Sequence, residues 1–306
     1  MHVAEAGSGP LVVLLHGFPE LWYSWRHQPP ALADAGYHAV APDLRGYGET
    51  DAPEAIEAYS MRNLTADVAG LLDALGVERA VLVGHDWGGG IASACAELFP
   101  HRVAALVVMG TYARRAPVPP TQMLQQFAQG KFNFALAFQQ PGVAEAELDA
   151  DPRRSLRRFL HALSGEAPPD VLTYLFTGKP ADAGILEGMP EPTALPAWLT
   201  EADLDVYARA FERNGFRGGL NWYRNMDRNW EELPQVGAAG LEQPALFMGG
   251  TRDSQIRFGS FEATEAAAAK LRKIVLMPRC GHWAQQERPD EVNAELIDFL
   301  RREIGP

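Results

Sequence analysis

The 306-residue sequence is poor in cysteine, in basic residues and in long apolar runs. Its two cysteines, Cys95 and Cys280, are too few for a disulfide framework, and its histidines show no metal-ligand spacing. A net charge of -12 argues against binding to nucleic acid or to an anionic membrane, because phosphates need a basic face. No signal peptide opens the chain, and no apolar run approaches the length of a membrane span. We therefore expect a cytoplasmic protein with no metal, no cofactor and no membrane or nucleic-acid partner.

A further absence is that of serine at the reactive position of the stretch around which the chain is organised, VLVGHDWGGGIASA at 81–94. The stretch matches the nucleophile-elbow pattern G-x-nucleophile-x-G, but its reactive position, between Gly84 and Gly88, is filled by Asp86. A carboxylate gains little by attacking a carbonyl group, whereas its attack on a saturated carbon makes an ester that water can cleave. Asp86 therefore predicts a substrate with an electrophilic sp3 carbon, such as an epoxide or an alkyl halide. The competing interpretation makes Asp86 only a helix N-cap.

Buried strands alternate with helical segments in the first and last parts of the chain. Strands are predicted at 2–6, 11–15, 38–41, 81–83, 103–109, 245–248 and 272–277. Helices are predicted at 25–35, 61–75, 261–270 and 289–302. This alternation predicts an α/β fold with a doubly wound, mostly parallel sheet.

The middle of the chain has a different pattern, with helical segments that are broken by proline clusters and rich in aromatic residues. No buried strand is predicted there. We therefore expect a core domain of residues 1–112 and 235–306, and a helical cap, or lid, of residues 113–234 inserted between two strands. Most lid aromatic side chains should be core, and a few should line a pocket.

Candidate catalytic groups follow the predicted strands at one edge of the sheet. Asp86, Asp253 and His282 each come directly after a strand. His282 would deprotonate a water molecule that attacks the Asp86 ester, and Asp253 would orient the imidazole ring. The backbone N–H groups of Phe18, in the loop HGFPE at 16–20, and of Trp87 would form an oxyanion hole.

Over essentially its whole length the sequence resembles the soluble epoxide hydrolases of the α/β-hydrolase fold. The resemblance lies in HGFPE at 16–20, DLRGYG at 43–48, GHDWGG at 84–89, FQQPGVAEAEL at 138–148, FRGGLNWYRNMDRNW at 216–230 and GHW at 281–283. It implies that water opens an epoxide to a vicinal diol through a covalent ester, without a cofactor. It also implies that Asp86 is the nucleophile, His282 the base, Asp253 the acid, and Tyr223 a lid acid that acts on the epoxide oxygen.

One lid position departs from the family pattern, which normally supplies two tyrosines. Phe134 stands where the first of them is expected, and the neighbouring Ala137 is not a tyrosine either. Either Tyr223 works alone with lower activity, or Tyr174, Gln139 or a water molecule takes the place of the missing donor.

Three aromatic side chains, those of Phe134, Trp87 and Trp283, are the predicted substrate-binding residues. Two alternative functions stay open at this point. The first is a haloalkane or haloacid dehalogenase, because GHDWGG also fits these enzymes and Trp87 would offer its indole N–H to a halide. The second is a ligand-binding protein of low activity, with which Phe134 is compatible. Tyr223 favours an epoxide, because the alkoxide formed on ring opening needs a proton whereas a halide leaves without one. A homodimer is compatible with the sequence.

Overall fold

The structure is a computed structural model of the chain and describes residues 1–110, 115–238, 240–258 and 271–305. The described residues form one seven-stranded sheet. Its strands are β1 (Val3–Ala6), β2 (Leu11–Leu15), β3 (His38–Pro42), β4 (Ala80–His85), β5 (Val103–Met109), β6 (Ala245–Gly250) and β7 (Leu271–Met277). All seven correspond to strands predicted from the sequence, with ends that differ by a few residues at most. The predicted helix at 261–270 and the predicted domain boundary at 112 lie outside the described residues.

The strand order is β1-β3-β2-β4-β5-β6-β7. Every neighbouring pair is parallel except β1 and β3, which run antiparallel with Val3 opposite Pro42. The mostly parallel, doubly wound sheet is confirmed. The chain order reverses between β2 and β4, which lie side by side although β3 comes between them in sequence. Loops that follow strands on either side of such a reversal leave a crevice at the carboxyl edge, where α/β folds bind ligands.

Both faces of the sheet are covered. Leu11, Val13 and Leu15 of β2 belong to one apolar cluster, and Val12 and Leu14 belong to the other. Successive side chains of a strand point to opposite faces, so a strand that is buried on both faces reads as a continuous apolar run.

The helices of the core domain pack against these two faces. They are α1 (Gln28–Asp34), α2 (Met61–Ala74), α3 (Trp87–Leu98), and, after the lid, α12 (Ser254–Phe258), α13 (Ala284–Glu287) and α14 (Pro289–Glu303). Leu64 of α2 and Ile91 of α3 lie in the first cluster, while Leu32 of α1 and Leu296 of α14 lie in the second. No helix within the described ranges is both long enough and apolar enough to cross a membrane.

Between β5 and β6 the described residues form helices and one isolated antiparallel bridge, Lys131 with Pro180. The α-helices of this lid are α4 (Pro120–Ala128), α5 (Phe134–Ala137), α6 (Val143–Leu148), α7 (Pro152–Ala162), α8 (Pro169–Thr173), α9 (Glu201–Asn214), α10 (Arg217–Arg224) and α11 (Met226–Glu232). The lid is hydrogen-bonded to the core domain: the Trp222 indole N–H donates to the Arg45 carbonyl at 3.2 Å, and the Tyr23 hydroxyl donates to Asp203 at 2.8 Å. The exact limits of the two domains stay a prediction.

Candidate active site

Asp86 occupies the sharp turn between β4 and α3. Its backbone has a φ of 51° and a ψ of -121°, and a positive φ is strained for a residue other than glycine. A Cβ atom at Gly88 would lie 2.0 Å from the Leu15 carbonyl oxygen, and one at Gly84 would lie 2.2 Å from the Gly88 carbonyl oxygen. The strand and the helix can therefore approach this closely only because both positions are glycine, as the elbow pattern predicts.

The two oxygens of the Asp86 carboxylate have different partners. Oδ1 accepts a hydrogen bond from the Phe18 backbone N–H at 3.0 Å. Oδ2 accepts one from the Gln255 amide at 2.7 Å and lies 3.8 Å from His282 Nε2. The carboxylate is 6% exposed, so few water molecules compete for these contacts. Trp87 follows directly as the first residue of α3, and its part in an oxyanion hole stays a prediction.

The His282 ring lies between Asp86 and Asp253, with its Nδ1 3.1 Å from Asp253 Oδ1. Burial disfavours the charged imidazolium, but the charge and hydrogen bond of Asp253, together with the charges of Asp86 and Glu20, raise the pKa of His282 to about 9. Burial alone would raise the pKa of Asp253, yet His282 and a hydrogen bond from the Gln255 backbone N–H hold it below its usual value. Asp253 therefore stays ionised and fixes which ring nitrogen faces Asp86.

A buried pair of side chains, Glu20 and His85, contacts the backbone of His282. His85 Nδ1 lies 2.6 Å from Glu20 Oε2, and His85 Nε2 lies 2.8 Å from the His282 carbonyl oxygen. The imidazole ring of His85 therefore joins the Glu20 carboxylate to the backbone of His282. On the other side, the His282 N–H donates to the carbonyl of Leu163, directly after α7 of the lid, at 2.9 Å. Sequence analysis missed this pair, although both residues lie within its quoted motifs.

The lid covers Asp86 and His282 with an apolar cavity of about 200 Å³. Six of the side chains in its wall are aromatic. The aromatic side chains that line it are Phe18 from the core domain and Phe134, Phe138, Phe159, Phe176 and Tyr223 from the lid. The prediction that a few lid aromatic residues line a pocket agrees with this arrangement.

Tyr223, in α10, lies in the roof of this cavity above Asp86. Burial and then the negative charge of Asp86 raise the pKa of Tyr223 well above its usual value, while a hydrogen bond from the Trp87 side chain acts in the opposite direction. The indole can only donate, so the phenol oxygen accepts this bond and its own proton stays available to a ligand. The Trp87 ring meets the Tyr223 ring edge-on, with centroids 5.0 Å apart.

The structure places the other predicted side chains as follows. Phe134 lines the cavity, whereas Trp87 contacts it only through Tyr223 and borders a separate groove. Trp283 does not line the cavity. It is fully buried behind His282, and its indole N–H donates to the Leu160 carbonyl at 2.9 Å. It packs against the His282 ring, at 4.6 Å between centroids, instead of facing substrate.

The two residues considered as substitutes for a first lid tyrosine are engaged elsewhere. The Tyr174 hydroxyl donates to Glu187 at 3.2 Å. The Gln139 amide donates to the backbone carbonyls of Ala135 and Tyr223, at 2.7 Å and 3.0 Å. Gln139 therefore supports the backbone that carries Tyr223, and neither side chain lines the cavity.

Neither cysteine nor a metal site contributes to the cavity as described. Cys95 and Cys280 are buried, and burial raises the pKa of both thiols well above their usual range. Among the described residues, no group of three or more histidine, cysteine, aspartate and glutamate side chains is placed to hold a metal ion.

Comparison with known proteins agrees with this arrangement. The family model described as the alpha/beta hydrolase fold matches residues 10–289. Epoxide hydrolase A of Mycobacterium tuberculosis is 48% identical over 303 residues, which cover 98% of this chain and 94% of that protein. The bifunctional epoxide hydrolase 2 of Sus scrofa is 39% identical over 98% of this chain, which spans 53% of that larger protein.

Two solved structures are similarly close. The crystal structure of epoxide hydrolase A from Mycobacterium thermoresistibile has a TM-score of 0.92 and 50% sequence identity, with coverage of 98% of this chain and 94% of that one. An epoxide hydrolase from an endophytic Streptomyces has a TM-score of 0.93 and 45% identity, with coverage of 98% and 91%. Because the matches cover 98% of this chain, the similarity extends over both the sheet and the lid.

Proposed function

This chain belongs to the epoxide hydrolases of the α/β-hydrolase fold, and we propose that it opens an epoxide to a vicinal diol through a covalent ester on Asp86. One observation supports this assignment most strongly. A carboxylate at the elbow, a histidine paired with a second carboxylate, and a partly buried tyrosine border the same apolar cavity. Each of these three groups has a different role in epoxide hydrolysis.

Ring opening needs an attacking oxygen and a proton donor on opposite sides of the substrate. Because Oδ1 of Asp86 is held by the Phe18 N–H of the predicted oxyanion hole, whereas Oδ2 faces His282, Oδ2 is the oxygen that attacks the epoxide carbon. As the Oδ2–carbon bond forms, the carbon–oxygen bond of the ring breaks and its electron pair moves to the epoxide oxygen. Tyr223 protonates that oxygen: its raised pKa keeps the phenol protonated, and an alkoxide is a much stronger base than a phenolate.

Ester hydrolysis then regenerates the carboxylate. His282 takes a proton from a water molecule that attacks Cγ of Asp86, and the Phe18 N–H, with that of Trp87, stabilises the oxyanion on Oδ1. The charge of Asp86 helps to raise the pKa of His282 in the resting enzyme. Esterification removes that charge, so the pKa of His282 falls at the stage when a neutral base is required.

The lid, residues 113–234, supplies the roof of the site and the contacts with the rest of the substrate. Phe134 presents a ring where a second hydroxyl would otherwise act, and Tyr174 and Gln139 have other partners. We therefore assign proton donation to Tyr223 alone. The cavity of about 200 Å³ suits an epoxide with compact apolar substituents.

Two alternative functions receive less support. In a dehalogenase the Trp87 indole would bind a halide, but here it is engaged with Tyr223. A ligand-binding protein without activity would have no need for a strained aspartate aligned with a paired histidine. We also keep a cytoplasmic location and a homodimer as proposals from composition and family.

The test uses a variant in which the ester cannot be hydrolysed. His282→Gln protein is mixed with a stoichiometric aryl epoxide, and separately with an alkyl bromide, and the peptide that contains Asp86 is analysed by mass spectrometry. We expect a mass increase equal to the whole epoxide. An alkyl adduct formed only with the bromide would identify a dehalogenase. The matched control, Asp86→Asn with His282→Gln, should give no adduct with either reagent.

A further inference from the structure

The Gln255 side chain contacts the attacking oxygen of the nucleophile. Its Nε2 lies 2.7 Å from Asp86 Oδ2, and the residue lines the cavity beside Asp86 and His282. An ionised carboxylate oxygen can only accept, so the NH₂ group of the amide faces Oδ2. Among the described residues, no other side chain donates a hydrogen bond to that oxygen. His282 Nε2, which also faces it, is 3.8 Å away.

The position of Gln255 is fixed by its contacts with neighbouring residues of the site. Its backbone N–H donates to Asp253 Oδ1 at 2.9 Å, the same oxygen that meets His282 Nδ1. Its side-chain oxygen lies over Gly110, where a Cβ atom would come within 2.6 Å of it. Gly110 directly follows β5 and has a φ of 86°, which favours glycine there, and the missing Cβ atom leaves room for the amide. One residue thus connects the acid with the nucleophile.

The chemistry of this contact follows from the fate of Oδ2 in the proposed reaction, on which this inference rests. In ring opening, Oδ2 becomes the ester oxygen bonded to the substrate carbon. In hydrolysis, the water oxygen bonds to Cγ and a water proton passes to His282. The Cγ–Oδ2 bond then breaks, its electron pair stays on Oδ2, and Oδ2 takes the proton from His282 and leaves in the diol. The water oxygen replaces it in the carboxyl group of Asp86, and the proton that this oxygen still carries passes through solvent to the Tyr223 phenolate, which restores both the carboxylate and the phenol.

Oδ2 is therefore charged in the resting enzyme and as a leaving group, but not in the ester. A hydrogen bond to a charged acceptor is stronger than one to a neutral acceptor. We propose that Gln255 is a catalytic residue of the second step, whose amide stabilises the developing negative charge on Oδ2 as the ester bond breaks. In the first step the same bond favours the resting carboxylate, so its removal does not slow attack on the epoxide.

The test separates the two steps in Gln255→Met, which removes the donor and keeps the length of the side chain. Enzyme and a stoichiometric aryl epoxide are mixed, quenched at increasing times, and analysed for the Asp86 ester by mass spectrometry. We expect the hydrolysis rate constant to fall on the order of 10²-fold, as on loss of one donor to a developing oxyanion. The alkylation rate constant should not decrease, so the ester should accumulate during turnover.

Two controls keep the result specific. Gln126→Met makes the same exchange at an exposed position of α4 and should change neither rate constant. Gln255→Leu is the second donor-free variant, to be used if the methionine protein melts at a lower temperature than the wild type. Equal slowing of both steps, or unchanged hydrolysis in a folded variant, would overturn the role of Gln255.

An isotope experiment checks which bond of the ester breaks in the hydrolysis step. A single wild-type turnover in H₂¹⁸O should leave ¹⁸O in the Asp86 carboxylate and none in the diol. If His282→Gln forms no ester with the epoxide, the proposed function fails as a whole; if the ester forms but Gln255→Met does not delay its hydrolysis, only the present inference fails.

Discussion

The floor and the roof of the cavity are built in different ways. On the floor, contributed by the core domain, Asp86, Asp253 and His282 meet defined partners at 2.7 to 3.8 Å. The roof, contributed by the lid, consists of aromatic rings in contact with one another. Phe134 and Phe138, for example, have centroids 6.1 Å apart, and Phe138 and Tyr223 have centroids 5.0 Å apart.

This difference separates the two steps of the reaction between two parts of the molecule. Charge and hydrogen bonds on the floor are directional and are held by loops at the ends of buried strands, as water activation requires. Ring packing in the roof is adaptable and shapes a dry space around the substrate, with a single phenol to protonate the epoxide oxygen. Apart from variants of the nucleophile Asp86, floor variants should therefore affect ester hydrolysis, and roof variants should affect ring opening.

The largest effect is expected for Asp253→Asn. The amide cannot stabilise the imidazolium or select the ring tautomer in which Nε2 accepts a proton, so ester hydrolysis should slow by about 10⁴-fold. Alkylation should continue, and the Asp86 ester should accumulate after rapid mixing with an epoxide. Loss of alkylation to the same extent would remove the proposed separation between floor and roof.

A somewhat smaller effect is expected for Tyr223→Phe. The rate constant of ring opening should fall by about 10² to 10⁴-fold, because the epoxide oxygen then leaves as an alkoxide without a proton. Here alkylation itself should slow, so that no ester accumulates even though His282 and Asp253 are intact. Pre-steady-state mass spectrometry distinguishes this result from that of Asp253→Asn. An activated substrate that needs no proton, such as an alkyl bromide tested as an alkylating agent, should be much less sensitive to the change.

A gain on the order of tenfold is expected for Phe134→Tyr, because the new hydroxyl would offer the epoxide oxygen a second donor from the lid. The measurement is the alkylation rate constant with an aryl epoxide. Phe138→Tyr adds a hydroxyl at a neighbouring ring of the same cavity and serves as the control. No gain from Phe134→Tyr would mean that the missing tyrosine does not limit this enzyme.

The smallest effect concerns stability and pH. The pKa of His282 is about 9 in the folded protein against 6.5 for an ordinary histidine. The charged ring therefore adds stability that is fully present below pH 6.5 and is lost as the pH rises through 9. The melting temperature of the wild type should fall relative to that of His282→Gln over this range. Parallel profiles for the two proteins would contradict the charged floor.

The fold was largely predictable because its signals are local. All-apolar strands such as β2, followed by glycine-containing loops, indicate a parallel sheet covered on both faces. The floor was predictable in part for the same reason, since the residue between Gly84 and Gly88 in this pattern lies at the tip of a sharp turn. Residue 112, the predicted end of the first core segment, and the predicted helix at 261–270 lie outside the described residues and stay predictions.

The side-chain partners were less predictable. Trp283 was predicted to bind substrate, but its ring is fully buried and packs against the His282 ring. The indole of Trp87 was expected near a substrate or halide and instead reaches Tyr223. In each case neighbours in space, which are remote in sequence, decided the direction of the ring.

The sequence by itself determined the sheet, the inserted lid, the elbow and the chemistry of a carboxylate nucleophile, because these depend on apolar periodicity, on glycine and on functional groups adjacent along the chain. Only the tertiary structure decided which oxygen of Asp86 is engaged by Phe18 and which by Gln255, and that Glu20 and His85 support His282. The physical reason is that hydrogen bonds and ion pairs act over about 3 Å in space. Residues 68 or 169 positions apart meet at that distance only after the chain has folded.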